Sequence, residues 1–406
     1  MSSPATSFLR RLLVSVPIGV SFAAVCAAML IFDAPEAHYR RALAAIEGNG
    51  IETASYELLW LERNPRFEAQ ASLLSGTLLV AQGELQSAPR VLAVAARDPD
   101  TNVRAMVLLG ECLYKSERFQ EAGEVWTKVL ELDPDNLDAH RWLGIAYADL
   151  GAVREALVHL RRAAELDEDD PGPHRLIGRL CENYWQPKIA AESYLEALRR
   201  APNHPDNDQL RFSLAKVYYR SKEYSLALDQ LSRLAPSAEA LALAADCQHG
   251  LGIDDQADTL LDEALRLNPK LSRALALRGQ LLLERGDVQA ATEVLELATR
   301  EAPNDRLILH HLAMTCQRAG QKEKAERLRK AVDRLHQLDA QYEDLSLKAI
   351  DDPRDVQTRY RLGALAAELG APALARAWFQ AVVHLEPGNA QVKAALRALD
   401  RELEEN

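Results

Sequence analysis

The sequence predicts an all-α chain built from stacked helix pairs, and three observations predict it. Alanine stands at 54, 88, 122, 156, 190, 227, 257, 291, 325 and 375, the first five exactly spaced at 34 residues. Twelve residues before each stands a small residue: Ala42, Gly76, Gly110, Gly144, Gly178, Ala215, Ala245, Gly279, Ala313 and Gly363. Proline then recurs at the end of the cycle, at Pro134, Pro202, Pro269, Pro303 and Pro387, one residue early at Pro65 and Pro99. Two small residues at a fixed offset mark a place where the backbones of two antiparallel helices come close, and the proline stops the second helix. A fixed period of this length means supersecondary units that bury their apolar faces by stacking.

The elements follow in order. Residues 1–33 stand apart: Arg10 and Arg11 precede an uncharged run from Leu12 to Phe32, and Asp33 and Glu36 follow it. As a helix this run spans about 30 Å, a bilayer core. Positive charge before it and negative charge after it orient it as a signal anchor, with the N-terminus cytoplasmic and the rest on the far, extracytoplasmic side. The competing reading is a cleaved signal peptide, for which Ala23, Ala24, Ala27 and Ala28 supply small residues.

Ten repeats are read from about 35, 69, 103, 137, 171, 208, 238, 272, 306 and 356. The first two diverge most, with Arg41 in place of a large apolar residue. The third to fifth are the most regular. Leu109, Gly110, Leu113, Ala122 and Trp126 in the third match Leu143, Gly144, Tyr147, Ala156 and Leu160 in the fourth. The sixth follows a three-residue insertion, Pro205-Asp206-Asn207, and is cut short by Pro236. In the ninth, 321–352 holds no Gly or Pro, and Leu328, Ala331, Leu335, Leu338, Tyr342, Leu345 and Ala349 make an apolar stripe. A long second helix is expected near 322–350. It either protrudes and self-associates through 328–349 or packs its stripe on the tenth repeat. A last helix, 390–406, carries a charged outer face and closes the stack.

This pattern resembles the tetratricopeptide repeat family over about 34–389. The resemblance implies a right-handed superhelical solenoid, here preceded by one transmembrane helix, and a scaffold that binds other proteins. It also implies that positions 2, 5, 9, 12 and 13 of each repeat face a concave groove. Those positions hold Arg141 in the fourth repeat, Arg175 and Arg179 in the fifth, and Phe212, Lys216, Tyr219 and Arg220 in the sixth. In a chain of net charge −12 this is a local basic and aromatic strip, suited to an acidic or C-terminal peptide segment held in extended form. Asp138, Asp149 and Glu182 face the same groove and balance it in the alternative reading. The family's carboxylate clamp uses Lys and Asn, and Asn183 is the only groove asparagine here.

The acidic balance argues against nucleic acid as a partner. No GxxxxGK[ST], GxGxxG, HExxH or GxSxG is present, so no catalytic residue, cofactor or metal is expected. His310 and His311 are adjacent on a helix and point about 100° apart, too divergent to share an ion. Asp167–Asp170 lacks the alternating ligands and central glycine of a calcium loop and reads as a turn. Cys112, Cys181, Cys247 and Cys316 stand singly on first helices and read as small core residues. The function read from the chain is a non-enzymatic, membrane-tethered interaction scaffold; the alternative is an accessory subunit of an envelope enzyme or export system for glycan, polymer or protein.

Overall fold

The computed structural model describes residues 35–405 apart from 49, 185 and 353. The Leu12–Phe32 segment therefore lies outside the described residues. Among those described, no helix is long and apolar enough to cross a membrane. Twenty-one α-helices and no strand are found among them.

The helices fall into ten pairs: α1 (Pro35–Glu47) with α2 (Ile51–Glu62), α3 (Glu68–Ala81) with α4 (Ala88–Ala95), and α5 (Asn102–Lys115) with α6 (Phe119–Leu132). Then come α7 (Leu137–Asp149) with α8 (Val153–Leu166), α9 (Gly172–Asn183) with α10 (Pro187–Arg200), and α11 (Asn207–Arg220) with the short α12 (Tyr224–Leu231). The last four are α13 (Ala238–Gly250) with α14 (Asp254–Leu267), α15 (Ser272–Glu284) with α16 (Val288–Glu301), α17 (Arg306–Arg318) with α18 (Lys322–Asp351), and α19 (Val356–Glu368) with α20 (Pro372–Leu385). A final helix, α21 (Ala390–Glu405), follows. Every first helix begins within a residue of its expected start. The short α12 is where Pro236 placed it; the equally short α4 was not foreseen.

The repeated alanine and glycine have separate jobs. All ten alanines are fully buried. The glycine twelve residues earlier, however, does not face that alanine. It faces the large residue sixteen positions after itself. A Cβ on Gly110 would lie 2.3 Å from the Trp126 ring, one on Gly178 2.4 Å from Tyr194, one on Gly279 2.4 Å from Leu295 and one on Gly363 2.5 Å from Phe379. The close approach is thus glycine against a bulky side chain on the second helix, a knob filling a notch. The turn between the two helices recurs as well. Its fifteenth residue is left-handed in eight repeats among the described residues; six are glycines such as Gly151, φ 65°, but Glu117 and Lys222 adopt it too.

The chain divides into two compact units, 1–134 and 135–406. In each, first helices touch the next first helix, as α1 touches α3 and α13 touches α15. The ninth repeat's stripe is spent inside the second unit. Leu328 packs with Leu295 and Leu312, Leu335 is buried, and Tyr342, Leu345 and Ala349 pack on Leu362 and Trp378. The stripe begins on the eighth and ninth repeats and ends on the tenth, so the expectation of self-association through 328–349 loses much of its apolar surface. α21 buries Val392 and Leu399 against Phe379 and Val382.

Candidate functional site: the inner face of the second unit

The expected strip lies on α7, α9 and α11, all within the second unit. Arg141 donates to Asp170 at 2.5 Å and to Asp167 at 3.4 Å, with Asp138 at 3.7 Å. The acidic run is therefore an ordered turn. Asp167 accepts the backbone N–H groups of Asp169 and Asp170, and Arg200 donates to the carbonyls of Ala164, Asp167 and Asp170. Arg175 reaches His204 at 2.8 Å and Asp206 at 3.1 Å. Lys216 donates to Glu182 at 3.0 Å and stands 6.0 Å from the Phe212 ring. Glu182 also accepts the Tyr194 hydroxyl at 2.8 Å; burial, then that carboxylate, pushes the Tyr194 phenol up. Arg179 is exposed and has no ion pair among the described residues, and Arg220 is exposed beside a small pocket formed with Glu182, Pro187 and Val217. Of the three balancing acids, Asp138 and Glu182 meet the strip; Asp149 instead lines a larger cavity described below.

The row continues where the sequence reading stopped. Arg273, on α15, lies 4.9 Å over the Tyr219 ring and donates to Asp246 on α13. Burial raises the Asp246 carboxyl and Arg273 opposes that shift. Both stand at positions, the ninth of the seventh repeat and the second of the eighth, that the resemblance assigns to a groove, so the same position rule carried two repeats further finds them. Tyr219 itself packs 6.0 Å from Tyr224. The face is thus a ladder of cation–carboxylate contacts with aromatic rings beside them, and Arg179 and Arg220 are exposed.

One metal-capable group is present among the described residues: His249, Asp254 and Glu284, with ligand atoms within 4.8 Å of one another. His249 Nδ1 lies 2.8 Å from Asp254, which leaves Nε2 toward Gln280 at 3.0 Å and Glu284 at 4.0 Å. His310 and His311 have ring centroids 5.9 Å apart, and burial lowers the His311 pKa. The four cysteines are free and buried, and burial pushes the Cys181 thiol up to about 11 and that of Cys247 to about 12. They act as small apolar residues.

Stacked helix pairs with a side-chain ladder on their first helices define the class: an α-helical repeat protein of the kind that presents an interaction face. Tetratricopeptide repeat profiles match residues 73–126, 186–249, 255–306 and 322–390, and another matches 115–180. The chain belongs to the tetratricopeptide repeat family. It is 29% identical over 169 residues to the mitochondrial ALBINO3-like protein 3 of Arabidopsis thaliana, covering 39% of this chain and 27% of that protein. It is 28% identical over 250 residues to cellulose synthase operon protein C of Xanthomonas axonopodis pv. citri, covering 58% of this chain and 14% of that protein. The chain thus spans less than a third of the length of these relatives. Among solved structures it is similar to the MamA protein, at 20% identity and a TM-score of 0.38, over 41% of this chain and 92% of MamA.

Proposed function

We propose that this chain is a non-enzymatic interaction scaffold whose inner face, from α7 to α15, binds a protein partner through an extended segment rich in acidic residues. The observation that supports it most is the ladder itself: charged and aromatic side chains repeat on successive first helices, with Arg179 and Arg220 exposed on it. Guanidinium groups bind carboxylates through paired hydrogen bonds, and the rings between them offer rigid contact area. Lys216 and Arg141 already hold carboxylates of this chain, so they shape the face, and the exposed Arg179 does most of the recruiting.

In this reading residues 1–33 tether the scaffold to a membrane, 34–389 form the repeat array and 390–406 cap it. Confinement to a membrane surface raises the effective concentration of partners anchored there, so weak binding by a polar face suffices. A second reading, an accessory subunit of a polymer-export enzyme system, is supported by the 250-residue similarity to cellulose synthase operon protein C. The two differ in whether a catalytic protein co-purifies.

The test is crosslinking in intact cells with the full chain as bait, beside Arg179→Glu with Arg220→Glu. A defined partner set that the double variant loses about tenfold, at unchanged helicity, supports the reading; each charge pair lost at an exposed site is worth about 0.5–1 kcal/mol. An identical set captured by the variant overturns it.

A further inference from the structure

Two polar places in the second unit lie beyond the ladder, and they differ in whether their charges are balanced. The first is a seam where the two ends of the unit meet. Arg359, on α19, donates from Nη2 to the carbonyl of Leu150, at the turn between α7 and α8. Its guanidinium is fully buried, and the charges of Asp352 and Asp355 act on it. Beside the seam lies a cavity of about 470 Å³, walled by residues of α7, α9, α18 and α20, and the charged residues on its wall are the acids Asp149 and Glu343. The seam is a tie between the fourth repeat and the tenth.

The second place, where α13, α14 and α15 come together, is short of positive charge. His249 is next to last on α13, Asp254 opens α14, and Gln280 and Glu284 stand one turn apart at the end of α15. The His249 ring lies between two carboxylates, with Nδ1 2.8 Å from Asp254 and Nε2 4.0 Å from Glu284. Among the described residues neither carboxylate pairs with a lysine or an arginine; Arg285, next in the chain, donates to Asp258 instead. Burial holds the His311 imidazole, on α17, below its ordinary pKa, so it adds no positive charge here.

The hydrogen bonds set a direction. A carboxylate only accepts, so Nδ1 carries the hydrogen toward Asp254, and the Nε2 lone pair faces Gln280 and Glu284. The Gln280 amide nitrogen fills the gap, 3.0 Å from Nε2 and 2.9 Å from Glu284. A group that only donates, set between an imidazole lone pair and a carboxylate, stands where a cation would. One zinc–nitrogen and one zinc–oxygen bond sum to ~4.2 Å, about the gap between Nε2 and the Glu284 oxygen.

We propose that this is a zinc site, in which His249 Nε2 and the Glu284 carboxylate ligate the ion, the Gln280 amide turns over to offer its oxygen, and Asp254 holds the imidazole from behind. A carboxylate behind a ligand histidine fixes the ring and raises its basicity. An imidazole among the ligands suits zinc over calcium or magnesium, which take oxygen ligands. Glu284 is exposed, and its side chain closes the remaining ~0.7 Å toward tetrahedral spacing. Water completes the coordination. The site needs only residues of this chain and does not rest on the acidic-segment reading.

The experiment is calorimetric titration of the tag-free full chain with zinc chloride, and separately with calcium chloride, in a buffer that does not chelate. One saturable zinc site per chain is expected, with calcium weaker by about tenfold or more. His249→Gln removes the site at unchanged helicity, and Asp254→Asn weakens it about 10–100-fold. Gln280→Glu replaces a neutral ligand with a charged one and tightens zinc about tenfold; this gain still tests the place if His249→Gln does not fold. No saturable zinc binding, equal affinity for calcium, a site left intact by His249→Gln or Asp254→Asn, or binding that Gln280→Glu does not strengthen overturns the proposal.

Discussion

The first and fourth repeats carry polar pairs at the same two places, the fourth position of the first helix and the twenty-third of the repeat. In the first, His38 meets Glu57, which also accepts Arg41 at 3.1 Å, and the His38 ring stacks on Trp60 at 3.9 Å. In the fourth, His140 and His159 bring their Nδ1 atoms to 3.0 Å, and Tyr147 stacks on His159 at 5.6 Å. The sixth places Arg211 3.2 Å from Gln230 at those positions. In the tenth they hold Arg359 and Trp378, and the arginine turns outward to the seam. The lesson is that two neighbouring layers of each helix pair obey different rules. The small-residue layer is steric, glycine in six repeats and alanine in four. The layer beside it is polar in several repeats and chemically free, so each repeat can use it for something else.

The largest effect should come from breaking the charged version. Glu57→Ala leaves His38 and the half-exposed Arg41 facing one another without the carboxylate, and losing hydrogen bonds to a buried charged group costs about 1.5–3 kcal/mol. Urea unfolding followed by tryptophan emission reads it through Trp60. A shift worth under about 1 kcal/mol would show that this layer tolerates charge without pairing.

The steric layer is tested by a cycle. Gly110→Ala forces its Cβ onto the Trp126 ring and should destabilise by about 1–3 kcal/mol. In a Trp126→Ala background the same change should become stabilising by up to about 1 kcal/mol, because only the helix preference of alanine over glycine remains. An equal cost in both backgrounds would detach the glycine from the tryptophan.

A third effect is the pH response of the histidine pair. Burial, then the neighbouring His140, lowers the His159 pKa to about 4, against about 6.5 in an unfolded chain. As pH falls below 6.5 the unfolded chain takes up this proton and the folded one does not. The stability held above pH 6.5 is therefore lost progressively down to about pH 4. Denaturation midpoints measured between pH 7.5 and 4 should decline, and His159→Gln should flatten that part of the slope. An unchanged slope in the variant assigns the decline to other groups.

Much of the architecture was legible because it rests on spacing. The buried alanines, the helix starts, the truncated sixth repeat and the long α18 all follow from where small residues and prolines fall. The partner of each glycine was misjudged: a period shows that two positions recur, and only geometry shows which pair meets. In the inner face, Arg175, Lys216 and Tyr219 were readable from their positions, whereas Arg273 and Asp246 were passed over by stopping at the sixth repeat. The Arg359 seam could not be read at all. Its two ends are 209 residues apart, and no local rule links an arginine on α19 to a carbonyl after α7.

That seam changes what sort of mechanical object the second unit is. A stack whose repeats touch only their neighbours behaves as a spring, opening freely and unravelling from its last coil. Tying residue 359 to residue 150 clasps the spring. The tenth repeat can then fray only by first opening the clasp, and stretching the coil must break the same contact. The clasp also needs a long-range closure that no single helix pair can make for itself, so it should form last and slowly, after the coil it fastens.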